Sequence, residues 1–212
     1  MIKAVIFDID GTLVKGNSWI AITEAMGASV DDHRQFYRDM LDGDGDDYED
    51  SKHKLLDMWA RTEKDNKEFF TSLYDDIPLA DGAKEIIGCL EERKIVPCLI
   101  TGSTDLFAEI VARKLGIDCY FANATLVWDK DGKLVDFEYF KNQAVKKLEQ
   151  FEKFCDERDL RPEECIAVGD SVNDISLFET MRGIALKSPD SEELEKTAWK
   201  TVNSLSELKT IL

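Results

Sequence analysis

The sequence predicts an α/β fold: a parallel sheet core with an inserted all-helical cap and a small β-hairpin. Three observations carry it. Short apolar runs at residues 2 to 7, 94 to 100 and 164 to 168 each break into a polar, glycine-bearing turn, the pattern of buried parallel strands. Amphipathic stretches at about 81 to 93, 104 to 115 and 143 to 157 supply the helices between them. Residues 14 to 77 contain apolar positions at helical spacing and no strand-like run.

The first run ends at Asp8, so charged chemistry begins where the first strand stops. The second ends in Thr101-Gly102-Ser103 and the third in Gly169-Asp170-Ser171. Strands alternating with helices imply right-handed crossovers and a Rossmann-like sheet, in which ligands bind beyond the carboxyl ends of the strands. The three polar turns are therefore expected to converge on one crevice. The helical insertion carries Trp19, Ile20, Ile22 and Met26, then Leu55, Leu56 and Trp59, then Phe69, Phe70 and Leu73. It leaves and rejoins the core beside Asp8, where a lid that excludes water would sit. Alternation on both sides of Asp-Lys-Asp-Gly, in residues 124 to 140, predicts a hairpin with a structural role. A short strand near 201 to 203 and a helix from about 206 close the chain. The acidic stretch 42 to 50 lacks the glycine and glutamate of a calcium loop, which leaves a solvated loop within the cap.

With 43% hydrophobic residues, 212 residues can bury a full core. The balance of 44 acidic against 27 basic residues, a net charge of -17, repels nucleic acid and anionic membrane, so neither is an expected partner. That charge also repels an anionic substrate, so a phosphate site must bring local cations. The cysteines (Cys89, Cys98, Cys119, Cys155, Cys165) are odd in number and form no Cys-x-x-Cys pair, which argues against a disulfide framework or a zinc site. Reduced, mostly buried thiols and the absence of a signal-peptide pattern make the expected location a reducing cytoplasm. No feature fixes an oligomeric state.

Asp8 and Asp10 are one residue apart on an extended strand end, so their carboxylates share one small volume, and a hard divalent cation relieves their repulsion. The same segment also reads as an acidic turn with Asp10 capping a helix. Asp170 and Asp174 lie four apart after another strand, as ligands straddling a turn and a helix start do. Thr101-Gly102-Ser103 offers a hydroxyl, backbone N–H groups and a helix start for a phosphate, and is equally an ordinary capping turn. Lys141, Lys146 and Lys147 place positive charge near a helix start, where most lysines are simply solvated.

These residues, in this order, resemble the haloacid dehalogenase superfamily, most of all its phosphoserine phosphatase branch with a helical cap. Asp8, Asp10 and Thr12 meet the first motif, Asp-x-Asp-x-Thr; Thr101 meets the second; Gly169, Asp170 and Asp174 meet the fourth, Gly-Asp-x-x-x-Asp. For the lone lysine of the third motif, Lys147 has the family's separation from Asp170 and Lys141 is the competitor. The resemblance implies an α/β core at 1–13 and 78–212 with a cap at 14–77. It implies a phosphatase in which Asp8 is the nucleophile and forms an aspartyl-phosphate. Asp10 would protonate the leaving oxygen and then activate water. It also implies Mg2+, held by Asp8, the backbone carbonyl of Asp10 and Asp170, with Asp174 orienting the set. Thr101, the Gly102 N–H and Lys147 would hold the phosphoryl oxygens. A dehalogenase needs no second aspartate, so Asp10 favours phosphoryl transfer; a phosphomutase and an inactive phosphoester-binding protein are the alternatives. Phosphoserine phosphatases contact the amino acid through a Glu shortly after the first motif. Here that stretch is Lys15 to Trp19, with Asn17 near the place, and residues 52 to 56 offer no matching Arg. The expected substrate is a small phosphorylated metabolite, and these two departures count against phosphoserine.

Overall fold

The computed structural model describes residues 1–42, 46–189 and 191–212. The central strand β1 (Ala4–Phe7) has all four side chains buried, as a strand covered on both faces requires. It pairs in parallel with β2 (Val96–Thr104) on one side and β5 (Cys165–Gly169) on the other. Among the described residues the sheet has seven strands. It continues from β2 to β3 (Tyr120–Trp128) and β4 (Leu134–Tyr139), and from β5 to β6 (Arg182–Leu186) and β7 (Lys200–Val202). The order of strands turns back at β1, so the crevice between the ends of β1, β2 and β5 is the switch point where ligands bind in such sheets.

Helices α1 (Ser18–Met26), α2 (Val30–Asp42), α3 (Asp46–Ala60) and α4 (Lys67–Asp76) all fall between β1 and α5 (Ala83–Glu92). The chain enters and leaves this helical segment at one place: Val14 bridges both Asp10 and Leu79, and Ala80 N–H donates to Leu13 O at 2.8 Å. The entry therefore sits beside Asp10. α6 (Asp105–Leu115) and α7 (Gln143–Arg158) follow β2 and β4, at nearly the expected boundaries. Residues 43 to 45 of the acidic stretch that invited a calcium reading lie outside the described residues.

The hairpin is β3 and β4, antiparallel, and β3 also joins the main sheet through β2. Its role is wider than its own turn. Trp19 meets Phe137 edge-on at 5.4 Å, Phe70 meets Trp128 at 5.3 Å, and the Tyr37 and Tyr139 hydroxyls lie 2.9 Å apart. Aromatic pairs of this kind make the hairpin the surface on which the helical segment rests. Trp59 is at the centre, fully buried, stacked on Trp19 and donating from Nε1 to Thr23 Oγ1 at 2.9 Å. Trp59→Ala is expected to cost about 3–5 kcal/mol in denaturant unfolding, whereas a loss below about 1 kcal/mol would show that the ring bears little of the packing.

The tail has the strand β7 where it was expected, with a 3-10 turn at Leu205–Thr210 in place of a helix. Two short helices, α8 (Ile175–Thr180) and α9 (Glu192–Thr197), flank β6. β6 escaped the sequence pattern because a glycine interrupts it. A Cβ at Gly183 would stand 2.0 Å from the Phe178 ring, so the position that looks like a break is where α8 packs on the strand.

Candidate active site

Asp8 follows β1 directly, and its backbone N–H donates to Val168 O of β5 at 3.0 Å, which fixes the strand end. Gly11 turns the chain with φ 76°. A Cβ there would lie 2.1 Å from an Asp170 carboxylate oxygen, so glycine lets the loop after β1 press against the loop after β5. Thr12 Oγ1 completes that junction by donating to Asp170 Oδ1 at 3.1 Å. A Cβ at Gly169 would likewise stand 2.1 Å from Asp174 Oδ2.

Lys147, buried on α7, donates to Asp8 Oδ1 at 2.9 Å and to Asp174 Oδ1 at 2.6 Å. Lys141, the competing lysine, instead holds its ammonium 5.9 Å from the centre of the Tyr48 ring. Burial opposes the charge on Lys147, but Asp174 and Asp8 outweigh it and push its pKa well above the ordinary lysine value. Asp8, Asp170 and Asp174 each offer an oxygen within 4.8 Å of the others. Three buried carboxylates face one ammonium, so the cluster lacks positive charge. Burial, then the charge of Asp8, raises Asp170 to about 7, and burial raises Asp174 to about 6 against the pull of Lys147. Asp174 Oδ2 is buried with no hydrogen-bond partner. An oxygen-only donor set, an excess of negative charge and an orphaned carboxylate oxygen fit a hard divalent cation such as Mg2+.

The Asp10 carboxylate is outside that group. It accepts from the Ser18 N–H at 2.9 Å and the Ser18 hydroxyl at 2.7 Å, at the start of α1, so the helix-capping reading of Asp10 holds in part. Of the metal donors expected from the sequence, Asp10 thus has only its backbone carbonyl to offer. Burial, with the charge of Asp8, pushes the Asp10 carboxyl up to about 7, although Ser18 opposes the shift. Ser18 Oγ is also 2.5 Å from Ser103 Oγ, and Ser103 N–H donates to Thr101 Oγ1 at 3.2 Å. A polar chain therefore runs from Asp10 to the end of β2. The cap of α6 is Thr104, whose hydroxyl accepts from Phe107 N–H at 3.3 Å, so Thr101 is not spent on capping. Asn17 is the cap of α1 and accepts from Ile20 N–H at 3.1 Å.

Gln143 was not expected at the site, and Ser18 and Ser103, though in stretches that the sequence singles out, carried no role of their own. Ser18 carried one signal, its place at the first turn of a helix soon after Asp10; Ser103 and Gln143 meet the site only through the tertiary fold. Gln143 donates to the Tyr37 hydroxyl at 3.2 Å and to that of Tyr139, and its Oε1 occupies the space a Cβ at Gly102 would need. Asp8, Asp10, Thr101, Gly102, Lys147 and Asp170 share one cavity of about 940 Å³, to which the helical segment contributes Trp19, Tyr37 and others.

His33, 4% exposed in that segment, lies 2.6 Å from Thr23 Oγ1. Burial, aided by Arg34, lowers it to about 4. The unfolded chain binds its proton near 6.5 and the folded chain only near 4, so stability is present above 6.5 and is lost as pH falls through 4. From pH 7 to 4, wild type is expected to lose roughly 3 kcal/mol more than a His33→Asn variant, read from urea midpoints at each pH. Parallel curves for the two proteins would contradict this.

A sequence profile of haloacid dehalogenase-like hydrolases matches residues 2–181. The phosphoserine phosphatase of Methanocaldococcus jannaschii is 31% identical over 179 residues, covering 83% of this chain and 81% of that protein. That of Campylobacter jejuni subsp. doylei is 26% identical over 183 residues, with 84% and 83% covered. Among solved structures, a phospho-aspartyl intermediate analogue of phosphoserine phosphatase superposes with a TM-score of 0.77 at 26% identity, covering 100% of this chain and 99% of the other. A HAD family hydrolase from Salmonella enterica serovar Typhi reaches 0.79 at 20% identity, covering 98% and 70%, which speaks to the fold alone. No helix among the described residues is long and apolar enough to cross a membrane.

Proposed function

The chain belongs to the haloacid dehalogenase-like hydrolases as a phosphatase, and from that premise we propose that it hydrolyses a small phosphomonoester through a covalent aspartyl-phosphate on Asp8. The observation that carries this reading is the pairing of Asp8 with Lys147 at 2.9 Å beyond the central strand. One carboxylate oxygen of Asp8 is tied to the ammonium, which leaves the other for in-line attack on phosphorus. As that bond forms, charge on the transferring oxygens is met by Lys147, the Thr101 hydroxyl and the Gly102 N–H.

Asp10 is the general acid and base. Its place in the same cavity as Asp8 supports that role, and Ser18 holds its orientation through two hydrogen bonds. It gives its proton to the departing alkoxide and, once the alcohol has left, takes one from the water that opens the acyl phosphate. The helical segment, residues 14 to 77, acts as the cap that excludes bulk water during both steps.

Asp8, Asp170 and the Asp10 carbonyl would hold Mg2+, with Asp174 positioned by Lys147 behind them; when bound, the ion supplies the positive charge that the cluster lacks and lets an anionic phosphate approach Asp8. Binding of that ion to the folded state stabilises it by mass action. Saturating Mg2+ at about 100 times its Kd is expected to add about 2.7 kcal/mol, and a chelator to remove it, in thermal or urea unfolding. An unfolding midpoint indifferent to both would contradict the assigned donors.

The test of the activity is hydrolysis of p-nitrophenyl phosphate with Mg2+. Turnover that depends on the metal supports the reading; no turnover at any pH from about 5 to 9 overturns it.

A further inference from the structure

α2 turns one face to the active-site cavity. His33, Arg34, Tyr37 and Arg38, at i, i+1, i+4 and i+5, line it, while Asp31, Asp32, Asp39 and Asp42 of the same helix do not. The described carboxylates in the lining are Asp8, Asp10 and Asp170, all belonging to the strand-end site. In a chain with 44 acidic and 27 basic residues, a helix face with two arginines and no acid runs against composition. Neither arginine is closely neutralised among the described residues. Arg34 stands 3.8 Å from the exposed Asp31, and Arg38 donates to the side-chain oxygen of Gln35 at 2.8 Å. Each guanidinium keeps donors for a further acceptor, in the planar arrangement that matches a carboxylate or phosphate. Lys15, the other cation of the cavity apart from Lys147, is paired with Asp81 at 2.8 Å. An ammonium on the leaving group, held against the α2 face, would meet the two arginines.

We propose that the alcohol released by this enzyme carries a second anionic group, carboxylate or phosphate, and no ammonium, and that Arg34 and Arg38 hold that group. The inference rests on the phosphatase reading of the same cavity. The experiment compares kcat/KM for p-nitrophenyl phosphate and for matched three-carbon phosphomonoesters. Their leaving groups are a neutral diol, a hydroxy acid, an amino acid, or an alcohol bearing a second phosphate. The hydroxy acid or the bisphosphate is expected to exceed the neutral and amino-acid esters by about tenfold or more, and which of the two is better identifies the anion. Arg34→Gln/Arg38→Gln should lower that best rate by about 100-fold, a loss about tenfold or more greater than the loss on p-nitrophenyl phosphate. A neutral or amino-acid ester as the best substrate, or an equal loss on every ester, would overturn the inference. Wild type that turns over p-nitrophenyl phosphate but shows no anion preference rejects this inference alone; wild type that turns over nothing rejects the phosphatase reading with it.

An independent observation lies at the other end of the sheet. Cys98 on β2 and Cys119, just before β3, have sulfurs 3.3 Å apart, and Leu99 N–H donates to Cys119 O at 3.0 Å, so the two residues sit side by side on neighbouring strands. A disulfide of about 2.05 Å needs the sulfurs to close by about 1 Å more, within the span that adjacent strands allow. Cys119 is half-buried while Cys98 is fully buried. Cys98 and then the Arg158 guanidinium hold the Cys119 thiol down at about 7, against burial and Glu157, whereas burial pushes Cys98 well up. Cys155 and Cys165, the neighbouring pair, are both buried and both raised. The chemistry is therefore asymmetric: one accessible thiolate next to one protected thiol.

We infer that Cys98 and Cys119 are a peroxide-oxidised disulfide site. The Cys119 thiolate attacks a peroxide oxygen, the O–O bond breaks and hydroxide leaves, giving a sulfenic acid. The Cys98 sulfur then displaces that hydroxyl, which departs as water with the Cys98 proton. Two electrons pass from the thiols to the peroxide. After hydrogen peroxide treatment and alkylation of the denatured protein, peptide mapping is expected to find Cys98 and Cys119 cross-linked, the other three thiols alkylated, and all five restored by dithiothreitol. Arg158→Gln should slow the reaction by about tenfold, and Cys119→Ser should abolish the cross-link. Five alkylated thiols, a sulfinic acid at Cys119 with Cys98 still labelled, or a bridge at Cys155 and Cys165 would each overturn the inference.

Discussion

Asp8→Asn is expected to lower turnover by about four orders of magnitude or more while the protein stays folded. An amide has nearly the shape of the carboxylate it replaces, and its oxygen can still accept from Lys147, which now stands 2.9 Å from Asp8 Oδ1. The packing around β1 does not change, because all four of its residues are buried by apolar contacts. What is lost is the anionic attacking oxygen, since the neutral amide oxygen is a poor nucleophile. Circular dichroism and urea unfolding should match wild type while phosphate release falls away. Retained activity would reject the covalent scheme, and an unfolded variant would move Asp8 from chemistry to structure.

Lys147→Met is expected to abolish activity and also to destabilise the metal-free protein by about 3–5 kcal/mol. Methionine fills the volume but leaves Asp8 and Asp174 buried, close together and unpaired. The size of the loss comes from those stranded charges rather than from the net strength of the pair, so Mg2+ should restore part of it. Lys141→Met touches none of these carboxylates and should keep kcat/KM within about threefold. If Lys141→Met is the damaging change, the lysine of the site has been misassigned. Both variants can be followed by the same p-nitrophenyl phosphate assay and urea titration.

Which parts of this site were legible in the sequence follows from the range of the forces involved. Asp8, Asp170 and Thr101 were readable because each ends an apolar run, and burial of a parallel strand marks the chain locally. The choice between Lys147 and Lys141 depended on helical phase and on where α7 begins, which neighbouring lysines do not reveal. Thr101 and Asp10 each admitted a capping reading, and the fold separates them: Thr104 caps α6, while Asp10 does bind the first turn of α1 through Ser18. In the chain from Asp10 through Ser18 to Ser103, the Ser18–Ser103 link joins residues 85 apart, and no periodicity signals it. β6 was hidden for a different reason, because Gly183 serves the Phe178 ring and thereby erases the strand pattern. The aromatic docking of the hairpin on the helical segment was legible only as two separate apolar lists, and Trp19 with Phe137 shows how they meet.

The most direct test of the central claim is to trap the phosphoryl group. Enzyme is mixed with substrate and Mg2+, quenched in acid within the first turnover and reduced with borohydride, which converts an acyl phosphate to an alcohol. Peptide mapping should find the reduced side chain at Asp8, only when substrate was present and never in Asp8→Asn. Turnover at full rate with Asp8 unmodified at every quench time, or with the modification on Asp10 instead, would contradict the account.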